Sequence, residues 1–199
     1  MDDNTKLQIL HEHYNDTFSI IKKSIKLRDK LTAFVLFVLT LVVLYAFWPN
    51  DAVNTLSQLA TQEFGISVTL DTSFFGSVIW FALLIVVVRY TQTVVYIERQ
   101  YAYIHQIEEN LHQNFKDSVA FTREGKSYLK KYPTYSNWVC LLYTVVFPII
   151  IITITLAKII NEWSIIYQAN IFSLLINTSI AICIFISIFL YMIFMHKQN

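Results

Sequence analysis

Turn-forming residues are scarce in this chain. Three glycines and three prolines in 199 residues leave little material for tight turns, so an almost wholly helical fold is expected. Cysteine is nearly absent too. Cys140 and Cys183 stand in separate apolar stretches, which gives neither a disulfide framework nor a zinc spacing, and both read as packing residues. Groups that do chemistry in apolar surroundings are also missing. The apolar runs contain no Asp or Glu, no His falls between residues 13 and 105, and no Ser–His or paired-carboxylate arrangement is visible. These absences argue against an enzyme and against a proton-coupled transporter, whose relay is a buried carboxylate. Half-chain repeats of the transporter kind are missing as well.

What the chain has is long hydrophobic runs: 55% of its residues are hydrophobic and 15% charged, and the mean hydropathy is +0.48. A transmembrane helix needs about 20 largely apolar residues. Four runs qualify: 31–48, 74–95, 138–160 and 171–195. None alternates apolar with polar residues, which excludes a β-barrel. The first run is too long for a signal-peptide core and is expected to be retained as a span. The expected fold class is an all-α polytopic membrane protein, four transmembrane helices with a cytoplasmic helical extension. With no cytoplasmic piece large enough for its own core, 1–199 reads as a single membrane domain.

Lysine and arginine set the orientation. Residues 1–30 carry Lys6, Lys22, Lys23, Lys26, Arg28 and Lys30, whereas the first loop has none, only Asp51, Glu63 and Asp71. The segment 96–136 is basic again, with Arg99, Lys116, Arg123, Lys126, Lys130 and Lys131. Both termini are therefore expected in the cytoplasm, with 49–73 and 161–169 outside. Trp48 and Trp163 at outer ends and Trp138 at an inner end suit the headgroup level, while Trp80 lies deeper.

The cytoplasmic segments are patterned for helix pairing. Leu7, Leu10, Tyr14, Phe18, Ile21 and Ile25 recur at three and four, a stripe about 80° wide on a helix. Val94, Ile97, Tyr101, Ile104, Leu111 and Phe115 do the same, with Glu108 in the one heptad position that interrupts them. The spacing predicts one continuous helix from the second span to Phe115. Its natural partner is residues 5–28, packed antiparallel and extending the first hairpin by about 30 Å at roughly 1.5 Å per residue, although the pattern also allows pairing between chains. Outside, "PNDAVNTLSQLATQEFG" reads as a short surface helix capped by Asn50 or Asp51 and stopped by Gly65.

Several patterns hint at chemistry. "AFTREGKS", residues 120–127, ends like a phosphate-binding loop, but an alanine holds the first glycine position and no strand precedes it. His105, Glu108, Glu109 and His112 share one helical side and could meet a metal; the plainer reading is a polar flank beside the seam, with no metal and no cofactor. The basic residues Lys22, Lys26, Lys30, Arg123, Lys126, Lys130 and Lys131 form a candidate surface for anionic lipid, or for a partner protein, nucleotide or nucleic-acid signal. In the last span Ser173, Asn177 and Ser187 share a face, with Tyr191 below, and either line a pore or bond between helices of one subunit. Arg89 stands about one turn inside the expected inner boundary of the second span. It is either a snorkelling anchor or, in an oligomer, a ring of charge at the pore mouth.

A basic amphipathic N-terminal helix, a hairpin continuing into "YIERQYAYIHQIEENL" and the basic return "FTREGKSYLKKYP" together resemble small multi-pass effectors of bacterial anti-phage systems. The plan is also similar to the four-span membrane subunit of Kiwa-type defence systems. The resemblance is architectural and carries over no residue. It implies an inner-membrane protein in antiviral defence that self-associates and acts as a gated pore or ion channel. The alternative it implies is a sensor or scaffold that recruits a cytoplasmic effector through the basic inner face.

Overall fold

A computed structural model describes residues 3–65, 72–114, 138, 141–164 and 171–198. Every long element among these is a helix: α1 (Asp3–Phe47), α2 (Pro49–Phe64), α3 (Thr72–Asn114), a π-helical turn (Leu142–Val146) leading into α4 (Phe147–Ser164), and α5 (Ile171–Gln198). The protein is all-α and polytopic, with four helices long and apolar enough to cross a membrane. The expected unbroken rod through the second span is present as the 43 residues of α3.

The chain divides into two compact units, Met1–Lys30 with Gln92–Tyr143 and Leu31–Thr91 with Thr144–Asn199. In the first, the N-terminal part of α1 runs antiparallel to the C-terminal part of α3. The Tyr14 hydroxyl donates to Glu108 Oε1 at 3.3 Å, and further along Arg28 is near enough to Glu98 to act on its charge. Ile21, Val94, Ile97, Ile104, Ile107 and Leu111 are buried, and Leu7, Leu10, Tyr14, Phe18 and Ile25 are half-buried. Where it is described, the helical stripe read from the sequence is thus the packed one, with Thr17 and Ile107 added to it; Phe115 lies outside the described residues. Burial pushes the Glu98 carboxyl above its usual range, and the charges of Arg28 and His105 oppose that shift.

The second unit is a bundle built on heptad-like spacing. Val35, Val38, Leu39, Val42 and Tyr45 on α1 are buried, as are Ile79, Trp80, Leu83, Val86, Val87 and Tyr90 on α3. Steps of three and four place each set along one side of its helix, as side-by-side helix packing requires. α5 contributes Leu174, Ile180, Ile184, Ile188 and Tyr191 in the same rhythm. Tyr90 packs edge-on against Phe147, ring centroids 5.0 Å apart. The opposite faces carry exposed Phe34, Phe37, Phe81, Ile85, Phe172, Phe189 and Leu190, a surface suited to lipid.

Three local features differ from the sequence reading. α2 is not capped by Asn50 or Asp51: its N-cap is Trp48, without a side-chain bond, and Pro49 opens the helix, because proline's missing N–H is no loss in the first turn. Gly65 does end it, in the left-handed conformation at φ 65°, with its N–H on Thr61 O. Second, a π-helical turn that the sequence reading does not anticipate precedes Pro148. Proline cannot donate to the carbonyl of Thr144 and crowds it, and the π-helical turn Leu142–Val146 lies there. Third, α4 does not stop at Ile160 but continues one turn to Ser164, so residues 161–164 of the expected outer loop are helical.

Candidate functional site: a buried polar cluster in the second unit

The extra turn of α4 changes the chemistry of the second unit. Lys158 and Glu162, one turn apart, form an ion pair at 2.9 Å with side chains 5% and 14% exposed. Removing two charges from water costs several kcal/mol per ion, and only good geometry with further hydrogen bonds offsets it. Neighbouring helices supply those bonds. Trp80 Nε1 of α3 donates to Glu162 Oε1 at 3.0 Å, and Asn177 Nδ2 of α5 donates to Glu162 Oε2 at 3.0 Å. The Lys158 ammonium also lies 4.4 Å from the centroid of the Tyr45 ring on α1, within range of a cation–π attraction.

Backbone ends complete the surroundings. Asn161 Nδ2 donates to Ala46 O at 3.3 Å, satisfying one of the carbonyls that the end of α1 leaves without a helical partner. The Tyr45 hydroxyl donates to Thr72 O at the start of α3, and the Tyr45 ring meets Phe75 edge-on at 5.8 Å. The group thus gathers where α1 and α4 end and α3 and α5 begin. It borders a cavity of about 350 Å³ lined by Tyr45, Asn50, Ser173 and Asn177 as well as by the ion pair. The arrangement holds opposite charges, donors and acceptors in fixed positions beside a hollow, which is the equipment of recognition.

Gly76 makes the Tyr45 seat possible. A Cβ there would lie 2.8 Å from the Tyr45 hydroxyl and 3.0 Å from its ring, closer than packed atoms allow. Gly76→Ala is expected to push Tyr45 off Thr72 and from beneath Lys158, lowering stability by about 1–3 kcal/mol, the usual cost of overpacking. Thermal unfolding in detergent measures this, and an unchanged midpoint would show that the Tyr45 seat yields freely.

The residues singled out in the sequence have separate fates. Asn177 is buried, Ser173 is half-buried on the cavity wall, and Ser187 donates to Cys183 O of its own helix at 2.8 Å. Ser173 and Asn177 thus border one cavity, and Ser187 is bonded within α5. Arg89 is exposed, continuing the outward row Phe74, Val78, Phe81 and Ile85. Glu108 is buried in the helix seam of the first unit. Lys22, Lys26 and Lys30 are exposed, and Lys22 lies over the Phe18 ring at 4.3 Å. Arg123, Lys126, Lys130 and Lys131, and the phosphate-loop-like segment with them, lie outside the described residues. Among the described residues no three His, Cys, Asp or Glu side chains converge as metal ligands; Glu108 turns into the seam while Glu109 and His112 are exposed. Cys183 is exposed on α5 rather than packed.

Lys158 and Glu162 escape the sequence pattern because the apolar run of the third span ends at residue 160, with Glu162 beyond it. The signal was there. A Lys and a Glu four apart, flanked by Asn161 and Trp163, share one side of a helix as soon as the helix is carried through them.

The chain matches no protein-family model, and comparison with the curated proteins and with solved structures returned no match.

Proposed function

We propose that the protein is a non-enzymatic signal receiver of the bacterial inner membrane, with both termini in the cytoplasm, where the basic helices recruit a soluble partner. The observation that carries this reading is that the most polar side chains of α4 and α5, Lys158 and Asn177, turn inward, while Thr40, Thr153 and Ser179 are the small polar groups left on the surface. Thr155, Lys158 and Asn177 are buried within a single chain, so the faces on which copies would meet are largely apolar and give an ion little to replace its water. The orientation rests on the lysine and arginine asymmetry, and the defence role on the architectural resemblance. Purified protein in planar bilayers is expected to give no single-channel current; reproducible conductance would overturn the receiver reading. Topology has its own check, in a chain whose native cysteines are replaced. Gln58→Cys should react with an impermeant maleimide on intact spheroplasts and Gln106→Cys only after lysis, and the reverse pattern would invert the orientation.

A gated pore formed by a homo-oligomer is the second reading, favoured by Arg89, a charge exposed on an otherwise apolar row. If copies meet along that row, the arginines form a ring at the pore mouth. Arg89→Gln keeps a polar side chain and removes the charge, and in this reading it changes ion selectivity while leaving insertion and oligomer size intact. Unchanged selectivity, or no conductance in either protein, leaves Arg89 a snorkelling anchor.

A further inference from the structure

The first unit keeps an apolar patch on its surface. Ile20 and Leu27 of α1 and Tyr96 and Tyr103 of α3 are 40%, 48%, 44% and 46% exposed, although each immediately precedes a residue of the helix seam: Ile21, Arg28, Ile97 and Ile104. A step of one residue turns about 100° around the helix axis. The turn has the same sense about each helix and the helices run in opposite directions, so all four side chains emerge on one side of the pair. Their heights agree as well. The Tyr14 bond to Glu108 and the action of Arg28 on Glu98 set the register, which brings Ile20 level with Tyr103 and Leu27 level with Tyr96. Ser24 and Gln100, both half-buried, fall between the four. Ile107 on the same side is buried, and the patch stops short of it.

Basic residues rim the patch. Lys23, Lys30 and Arg99 follow Ile20, Leu27 and Tyr96 by three residues, which sets each one just outside its apolar neighbour. All three are exposed, and among the described residues none is in an ion pair. The acids on that side, Glu12 and Asp16, lie at the far end, beyond Ile20. Charge therefore decides what can cover the patch. Segment 115–137 of this chain carries five basic residues and two acidic ones, and a second copy would bring the same lysines, so like charge disfavours both. Lipid does not reach all of it. Ile20 stands about 16 Å along α1 from the apolar run that begins at residue 31, beyond a head-group layer about 5–8 Å thick.

We propose that this patch docks an acidic amphipathic helix of a soluble partner. Ile20 and Leu27 are separated by two helical turns, about 10.5 Å, the span between i and i+7 anchors on an incoming helix. Those anchors seat among the four apolar side chains, and Asp or Glu on the flanks of the helix face Lys23, Lys30 and Arg99. The proposal rests on the receiver reading, to which it adds a place and a partner chemistry. Single-channel current bears on that reading, and the binding measurements below bear on the patch alone.

The probe is a fluorescein-labelled synthetic helix with leucines at i, i+3, i+4 and i+7 and glutamates on both flanks; its control carries lysines in place of the glutamates. Both are titrated with the full chain in phosphatidylcholine nanodiscs and read by fluorescence anisotropy, with empty nanodiscs as the blank. The glutamate helix should bind about tenfold more tightly than the lysine helix. Tyr103→Glu should weaken it about tenfold, whereas Ala102→Glu, exposed on the other side of the helix pair, should leave it unchanged. Lys23→Glu combined with Lys30→Glu should reverse the preference between the two helices. Equal binding of the two helices by the parent, or full binding by Tyr103→Glu, would overturn the assignment. So would a parent that is dimeric in mass photometry and becomes monomeric with Tyr103→Glu, because a second copy would then be the occupant.

Discussion

Glu162→Leu is expected to destabilise the detergent-solubilised protein by about 3–5 kcal/mol, the range seen when one partner of a buried ion pair is removed. The variant strands the Lys158 ammonium, 5% exposed, and takes the acceptor from Trp80 and Asn177 together. Lys158→Met should cost less. It leaves Glu162 with both of those donors, and the methionine stem fills similar space over Tyr45. The double variant Lys158→Met with Glu162→Leu should cost less than the sum of the single changes, because neither charge then remains uncompensated. Chemical unfolding curves for the four proteins supply the cycle. Additive effects would mean that the two charges do not feel each other, and a mild loss in Glu162→Leu would mean that water reaches the cluster.

Glu108→Leu should move the other way, stabilising the protein by about 1–3 kcal/mol, because a leucine adds apolar burial to the seam and removes a carboxylate that is unfavourable to desolvate. Glu108 is 3% exposed and lies in the seam with Ile104, Ile107 and Leu111, where a leucine continues the apolar stripe. Its neighbour Glu109 is exposed, so Glu109→Leu should stay within about 0.5 kcal/mol of the parent. Tyr14→Phe tests the geometry: it should matter when Glu108 is present and have little effect beside Glu108→Leu, since the hydroxyl donates to that carboxylate. Equal shifts for the two glutamate variants, in thermal unfolding followed by circular dichroism, would mean that the register of the helix pair is wrong. A stabilised Glu108→Leu protein that also signals constitutively would indicate that the polar interruption keeps the seam switchable.

Much of the architecture follows from one dimension of information. Scarce glycine and proline, runs of about 20 apolar residues and three-and-four periodicity are properties of the chain read in order, and they account for four spans and the uninterrupted α3. The stripe that pairs the two helices is legible for the same reason: apolar residues concentrate on the side that is buried, so periodicity reports packing, although it does not name Tyr14 as the donor to Glu108. Among the described residues Ile107 and Thr17 escape it, Ile107 because it sits beside Glu108, where the heptad breaks, and Thr17 because it is polar.

Within the spans that logic fails, since lipid is as apolar as a neighbouring helix and both faces of a span look alike in sequence. Asn177 and Ser187 share a face of α5, yet one bonds across to α4 and the other to its own backbone. The length of a span is equally undecided where charge begins. Lys158 and Glu162 look like a boundary in sequence, because a charge in hydrocarbon is unfavourable taken alone. Only the fold brings Trp80, Asn177 and Tyr45 from three other helices to satisfy them. The sequence by itself therefore determined that the chain is helical, crosses a membrane four times and pairs its polar helices through a defined stripe. The tertiary structure alone decided that α4 carries an ion pair into the bundle, that Arg89 points outward and that a polar cavity borders the pair. Each of those depends on contacts between residues far apart in the chain, which no local period encodes.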